Sequence, residues 1–359
     1  MKDFAVSTNF PGGNAIIKKI EGNTVFLDSD LRDTVGDWFY WAICVEGAQG
    51  KTLSFDFGGE IRVGYYGPAV SYDLKHWKWL GKDSEASKFT YTFTEDETKV
   101  YFAHNMIYSE KMFLEFAEKK HLPVKILCQS KKKRDVPYVI FGEGKKSIVL
   151  TARHHACEST GSYVLEGVLD RLYTSPLNDI QVFCVPFVDF DGVIDGDQGK
   201  NRTPYDHNRD YAQDKKAIYP ETAKIREYID THSVFMGFDF HSPWHTGNEN
   251  DLVCIIQKSI EKRECFIKFG ELLDTNLTKK ALQHNKENDI PPNGGTSNWN
   301  RTGTPTFAVY VMNKPENEIA FTLETCYFGR PDNIFTQEGA RELGRCFADA
   351  IFEYIHMRS

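Results

Sequence analysis

The chain has 359 residues, 41% of them apolar, and a formal net charge of -8. That length is large for one hydrophobic core and predicts two domains. The acidic balance excludes nucleic acid as the main partner, since no basic face of the needed size is visible, and no apolar run approaches a membrane span, so no membrane partner is expected.

Residues 1–125 read as an all-β leader. Thr52 to Phe57 and Phe89 to Phe93 alternate polar and apolar, Trp38–Val45 and Lys99–Ala103 are further predicted strands, and Pro11-Gly12-Gly13-Asn14, Gly47 with Gly50, and Gly67-Pro68 punctuate them. Short strands at this spacing predict a β-sandwich. A helix is predicted over Glu110–Lys120, with Ser109 placed to cap it.

From about Val124 onward strands alternate with helices. Strands are predicted at Val124–Cys128, Tyr138–Phe141, Ile148–Ala152, Ile180–Val188, Phe235–Phe240, Leu252–Ile256, Phe307–Val311 and Ile319–Thr325. Helices are predicted at Tyr163–Tyr173, Glu221–Ile229, Ile260–Leu277 and Ala340–Ile355. The expected class is α/β, a mixed, mostly parallel sheet with helices on both faces, over residues 126–359. The basic run Lys131-Lys132-Lys133-Arg134 falls between two predicted strands and reads as a solvated hairpin turn.

The eight cysteines are scattered, and none forms a CxxC. Several lie in apolar runs, as in Val182-Phe183-Cys184-Val185. They read as buried free thiols of a reducing compartment, and the N-terminus MKDFAVSTNF has no apolar signal core; a cytoplasmic location is expected.

The string Thr151-Ala152-Arg153-His154-His155-Ala156-Cys157-Glu158-Ser159 carries the first chemistry. A buried-strand pattern precedes it and helical spacing follows, so His155 and Glu158 sit at the carboxyl end of a strand, where open α/β sheets place their crevices. A His and a Glu three apart on a turn can point at one ion; the bland alternative is a surface His beside a helix-starting Glu. His241, in Phe238-Asp239-Phe240-His241-Ser242-Pro243, falls at another strand end and completes a His2Glu set that suits zinc with a fourth position open to water. His154 points to the other side of the backbone, and His245 is close enough to reach the rim.

Asp206-His207-Asn208-Arg209 offers an amide and a guanidinium fork, a pair suited to gripping a carboxylate. Asp206 could accept from a zinc-ligating imidazole and fix its tautomer. Ile319-Ala320-Phe321-Thr322-Leu323-Glu324-Thr325 places one carboxylate in an apolar strand. A lone Glu there is costly unless paired or functional, and a raised pKa beside activated water would make it a general base.

Taken in order, the HAxE-type pair, DxNR, the third His and the strand Glu resemble the zinc carboxypeptidases of family M14 over roughly residues 125 to 355. Gly294-Gly295-Thr296-Ser297-Asn298-Trp299 is similar to that family's GGSxDW segment. The all-β leader ahead of ARHHACESTGSYVLEGVLDRL looks closest to the cytosolic carboxypeptidase branch. The resemblance implies zinc on His155, Glu158 and His241, with Glu324 as the base. It implies Asn208 and Arg209 on the substrate's terminal carboxylate, and a further cation that polarises the scissile carbonyl. Arg202 is the preferred candidate for that cation, with Lys200 second. Ile290 occupies the place of the family's closing Tyr, and Ser297 the floor of the specificity pocket. The expected activity is hydrolysis of the C-terminal peptide or γ-linked bond of a peptide with a free carboxylate. Two alternatives remain at this point: a zinc amidohydrolase acting on acyl-amino acids or cell-wall peptides, and a non-catalytic binding protein with a relic zinc site.

Overall fold

The computed structural model describes residues 4–81, 84–175, 177–243, 253–256, 261–277, 304–330 and 333–358. Among the described residues nine strands occupy the N-terminal part. β1 (Ala5–Ser7), β4 (Ala42–Glu46), β6 (Ala69–Ser71), β7 (Lys78–Trp79) and β9 (Lys99–Ala103) form one sheet in the order β1-β4-β9-β6-β7. β2 (Ile16–Glu21), β3 (Thr24–Asp28), β5 (Thr52–Asp56) and β8 (Lys88–Thr92) form a second, β2-β3-β5-β8. The period-2 alternation sends Leu53 and Phe55 inward and leaves Thr52 in water. Phe55 pairs in register with Phe89, and their rings stack at 4.5 Å.

The same alternation divides the five-stranded sheet between two cores. Ile43, Val45, Val100 and Phe102 face the sister sheet, whereas Ala42, Cys44, Tyr101 and Ala103 face Phe190, Val193 and the rest of the protein. Burial on both faces is why β4 reads as a nearly continuous apolar run.

α1 (Glu110–Lys120) follows as expected, with Ser109 Oγ accepting from Met112 N at 3.3 Å. Acidic Glu110 opens the helix and Lys119 and Lys120 close it, matching its dipole.

The large sheet runs β10-β11-β13-β12-β14-β16-β15. Its strands are β10 (Val124–Gln129), β11 (Asp135–Phe141), β12 (Lys146–Ala152), β13 (Ile180–Val185), β14 (Ser233–His241), β15 (Cys254–Ile256) and β16 (Ile319–Glu324). It is mixed: β13, β12, β14 and β16 are mutually parallel, and β10, β11 and β15 pair antiparallel at the edges. One face packs α2 (Thr160–Thr174), α5 (Arg263–Asn276) and α7 (Gln337–Arg358). The other packs α4 (Pro220–Thr231) and α6 (Phe307–Met312), and α3 (Phe190–Asp195) follows β13. α2 and α7 meet backbone to backbone, since a Cβ on Gly167 or Gly344 would fall 2.0 Å from a carbonyl oxygen of the facing helix.

Two local expectations are corrected. Residues 307–311 form a helix, not a strand; Thr306 Oγ1 caps it, accepting from Val309 N at 3.4 Å. The basic turn is docked as well as solvated: Lys132 and Arg134 reach Asp195 at 2.6 and 2.7 Å, and Arg134 reaches Asp191 at 3.2 Å. None of the eight cysteines forms a disulfide. Among the described residues no helix is long and apolar enough to cross a membrane.

Candidate metal and catalytic site

Because β12, β14 and β16 are parallel, their carboxyl ends lie on one edge of the sheet, and each delivers a polar side chain there. After β12 the chain turns sharply at Arg153, whose φ is 62°. The buried Arg153 guanidinium pins the turn, Nε donating to Ala156 O at 2.8 Å and Nη1 to Tyr108 O at 3.0 Å. Glu158 N donates to His155 O at 3.2 Å, so both side chains leave one tight turn just ahead of α2.

The turn faces the end of β14. His155 Nδ1 lies 3.0 Å from Glu158 Oε1, and His241 Nδ1 lies 2.7 Å from Glu158 Oε2. Both imidazoles therefore aim the same nitrogen at one carboxylate. Donor atoms of His155, Glu158 and His241 all lie within 4.8 Å of one another. Two neutral nitrogens and one carboxylate oxygen are a ligand set zinc accepts, with room for a fourth partner. Burial alone would raise the Glu158 carboxyl's pKa, but Lys200, His155 and His241 hold it well below the usual range. Burial likewise opposes a charged His241, but Asp239 and Glu158 raise its pKa well above that of an ordinary imidazole. The cluster thus holds positive charge where a cation would sit, and the residues fit a divalent metal.

A second cluster, His154, Asp239 and His241, overlaps the first. His154 is fully buried, with Nδ1 2.8 Å from Asp239 Oδ1 and Nε2 2.8 Å from the Tyr211 hydroxyl. Both ring nitrogens are engaged, which leaves no open position. Asp239 Oδ2 lies 2.6 Å from His241 Nε2, while Asn208 Nδ2 lies 3.3 Å from the same nitrogen. Nε2 cannot donate to one and accept from the other; the short contact to a carboxylate decides, so Nε2 carries the proton and Nδ1 faces Glu158. Sequence reasoning passed over Asp239. Its signal is the i, i+2 spacing to His241, which puts both side chains on one face of β14. Asp206 Oδ1 stands 3.7 Å from His155 Nε2 in the corresponding place.

Glu324 ends β16 in register with His241. Its Oε2 is enclosed and has no hydrogen-bond partner among the described residues. Burial pushes its pKa up to about 6, against the pull of His241.

The two candidate cations separate clearly. Arg202 is bound by Asp33 at 3.0 Å, Asp189 at 2.8 Å and Asp197 at 2.9 Å. Lys200 instead forms an ion pair with Glu158 Oε1 and lies over the Trp38 ring, 4.7 Å from its centroid. Three carboxylates thus occupy the Arg202 guanidinium, Asp33 reaching it from the N-terminal part of the chain, whereas Lys200 faces Glu158.

Asn208 is buried, with Oδ1 accepting from Phe307 N at 3.2 Å. Arg209 is half-buried, and its guanidinium bonds Asn208 O at 3.3 Å through Nη1. Ser297, Ile290, the Gly294–Trp299 segment and His245 lie outside the described residues.

The family model of the cytosolic carboxypeptidase N-terminal domain matches residues 6–104. An uncharacterised protein of Zymomonas mobilis is 25% identical over 256 residues, 66% of this chain and 67% of its own length. Cytosolic carboxypeptidase 2 of Xenopus tropicalis is 23% identical over 318 residues, 79% of this chain and 32% of that protein. The chain thus spans about a third of the length of the curated cytosolic carboxypeptidases it matches. Among solved structures, a metallo-carboxypeptidase from Pseudomonas aeruginosa in complex with (2-guanidinoethylmercapto)succinic acid shares the fold, with TM-score 0.81 and 17% identity over 98% of this chain and 99% of that one. Over residues 6–104 the chain thus carries a domain like the N-terminal domain of the cytosolic carboxypeptidases, and over nearly its whole length it shares the fold of a solved metallo-carboxypeptidase.

Proposed function

We propose that the chain is a zinc-dependent metallocarboxypeptidase that hydrolyses the C-terminal peptide or γ-linked bond of a peptide substrate. The observation that carries this reading is the convergence of His155, Glu158 and His241 on one point, with the unpartnered Glu324 carboxylate in register beside it. His155 and His241 would hold zinc through Nδ1, together with Glu158. When bound, the metal supplies Lewis acidity and lowers the pKa of a water toward neutrality.

The remaining work falls to the chain's own residues. Glu324 takes a proton from the attacking water and delivers it to the amine nitrogen as the C–N bond breaks. A pKa near 6 lets one carboxyl do both near neutral pH. Asp239 keeps the His241 proton on Nε2, and Asp206, 3.7 Å from His155 Nε2, sets a negative charge on the far side of that ring. Lys200, not Arg202, stabilises the charge that develops on the scissile carbonyl oxygen, since it is the cation held beside Glu158. Arg209, with Asn208 alongside, grips the substrate's terminal carboxylate through its planar fork.

In this reading residues 1–125 form one domain and 126–359 the catalytic one, and cysteines without disulfides fit a cytoplasmic protein. Metal analysis coupled to a hydrolysis screen tests the function. The screen carries three arms: free-acid peptides, acyl-amino acids and cell-wall peptides with γ-linked Glu. Stoichiometric zinc and cleavage of free-acid peptides is the expected result; zinc with turnover confined to either other arm would overturn the carboxypeptidase assignment.

A further inference from the structure

The loop that carries Lys200 is gripped from the N-terminal sandwich. Asp33, in the connection between β3 and β4, accepts from two consecutive main-chain amides: Gln198 N reaches Oδ1 at 3.0 Å and Gly199 N reaches Oδ2 at 2.8 Å. The same carboxylate takes Arg202 Nε at 3.0 Å. Asp33 thus holds the loop on both sides of Lys200.

Neighbouring residues reinforce the grip. Tyr40 N donates to Gln198 Oε1 at 2.9 Å, and Gln198 Nε2 donates to Tyr40 O at 2.7 Å. Thr34 Oγ1 donates to Lys200 O, and the Trp38 ring faces the Lys200 ammonium. Gly199 has φ 74°, and a Cβ there would fall 2.2 Å from Ala156 N, inside the turn that presents His155. The loop is therefore wedged between the metal-site turn and the sandwich. A lysine stem is flexible, so the place of its ammonium follows the direction in which the main chain releases it.

We propose that Asp33 is a positioning residue for Lys200: the N-terminal sandwich supplies part of the active site, through one carboxylate that fixes the loop releasing the catalytic cation. This rests on the reading of Lys200 as the charge at the scissile carbonyl. Asp33→Asn keeps the size but loses one acceptor oxygen and the ion pair with Arg202.

The test is a double-mutant cycle in the full-length metal-loaded protein, comparing wild type, Asp33→Asn, Lys200→Ala and the pair. Asp33→Asn should lower kcat on the order of tenfold to a hundredfold with KM changed less than about threefold, the loss expected from a misplaced group. In the Lys200→Ala background it should change kcat less than about twofold, because the group it positions is gone. An equal loss in both backgrounds would show that Asp33 only supports the fold and would overturn the proposal. A second readout needs no turnover. Acylation of Lys200 by acetic anhydride, followed by peptide mass spectrometry, should speed up about tenfold in Asp33→Asn as the buried ammonium is released, with exposed Lys111 and Lys145 as references. An unchanged Lys200 rate overturns the proposal even if wild type cleaves nothing, which would separately sink the proposed function.

Discussion

His241 and Glu324 are register partners at the carboxyl ends of two neighbouring parallel strands. The imidazole is fixed by Glu158 and Asp239, whereas the carboxylate beside it keeps an enclosed oxygen with no partner among the described residues. One residue of the pair is thus saturated and the other is left for chemistry. Glu324→Gln preserves shape and removes the base. It should keep zinc and fold and lose on the order of 10²–10⁴ in kcat. Near-normal turnover would remove Glu324 from the mechanism.

The two overlapping clusters can be told apart by metal content. His155→Ala, Glu158→Ala and His241→Ala each delete a donor of the open cluster and should abolish stoichiometric zinc. His154→Ala touches only the closed cluster and should retain zinc with affinity weakened about 10–100-fold at most, the usual size of an outer-partner effect. Zinc lost from His154→Ala but kept in His155→Ala would assign the metal to the other set.

The parts of the site that were legible in sequence are those set by local pattern. His241 and Glu324 each end a buried apolar strand and His155 follows another by one turn, and parallel pairing brings such ends together without further information. Asp239 was equally legible, two residues before His241 on the same strand face. The surroundings of Lys200 and Arg202 were not, because they depend on Asp33 arriving at the Arg202 guanidinium from the N-terminal sandwich, far away in sequence. The segment 307–311 misled for a different reason: Phe-Ala-Val-Tyr-Val is a short apolar run of strand-preferring residues, and periodicity cannot decide such a run. What decided it was packing of Phe307, Tyr310 and Val311 against the sheet face beneath α4. Burial of Tyr101 and Ala103 on the outer sandwich face was hidden likewise, since it needs the second half of the chain.

That shared core predicts what truncation does. Removing residues 1–125 would bare the surface around Ala156, Phe187, Phe190 and Val193 that Tyr40, Ala42 and Tyr101 cover. It would also leave the Lys200 loop without Asp33. Residues 126–359 alone should express as aggregated or inactive protein, because an apolar face of this kind is not stable in water. A soluble fragment with unchanged kcat and substrate choice would contradict this.

Arg209 carries the prediction for the substrate end. A guanidinium fork matches a carboxylate with two parallel hydrogen bonds, and an ammonium does not. Arg209→Lys should therefore cost about 2–5 kcal/mol in kcat/KM on free-acid peptides with zinc unchanged. Amidating the substrate's C-terminus should cost the wild type a similar amount. Equal rates on amidated and free-acid substrates would exclude an exopeptidase.

Glu221 predicts a pH effect on stability away from the metal. It lies in the first turn of α4, buried, with Oε2 lacking a hydrogen-bond partner among the described residues and 4.0 Å from His207 Nε2. Burial, helped by the like charges of Asp189 and Asp191, pushes its pKa up to about 8. The folded carboxyl thus stays protonated to about pH 8, whereas the unfolded one ionises near the ordinary value of about 4.3. Between those two values the folded state binds more protons, so stability falls as pH rises, and the penalty is complete above pH 8. Glu221→Gln, a neutral near-isostere, should match wild type at pH 4 and exceed it by on the order of 2–4 kcal/mol at pH 9. Urea unfolding of both proteins at the two pH values measures this directly. The same difference at pH 4 and pH 9 would mean that Glu221 does not titrate with folding.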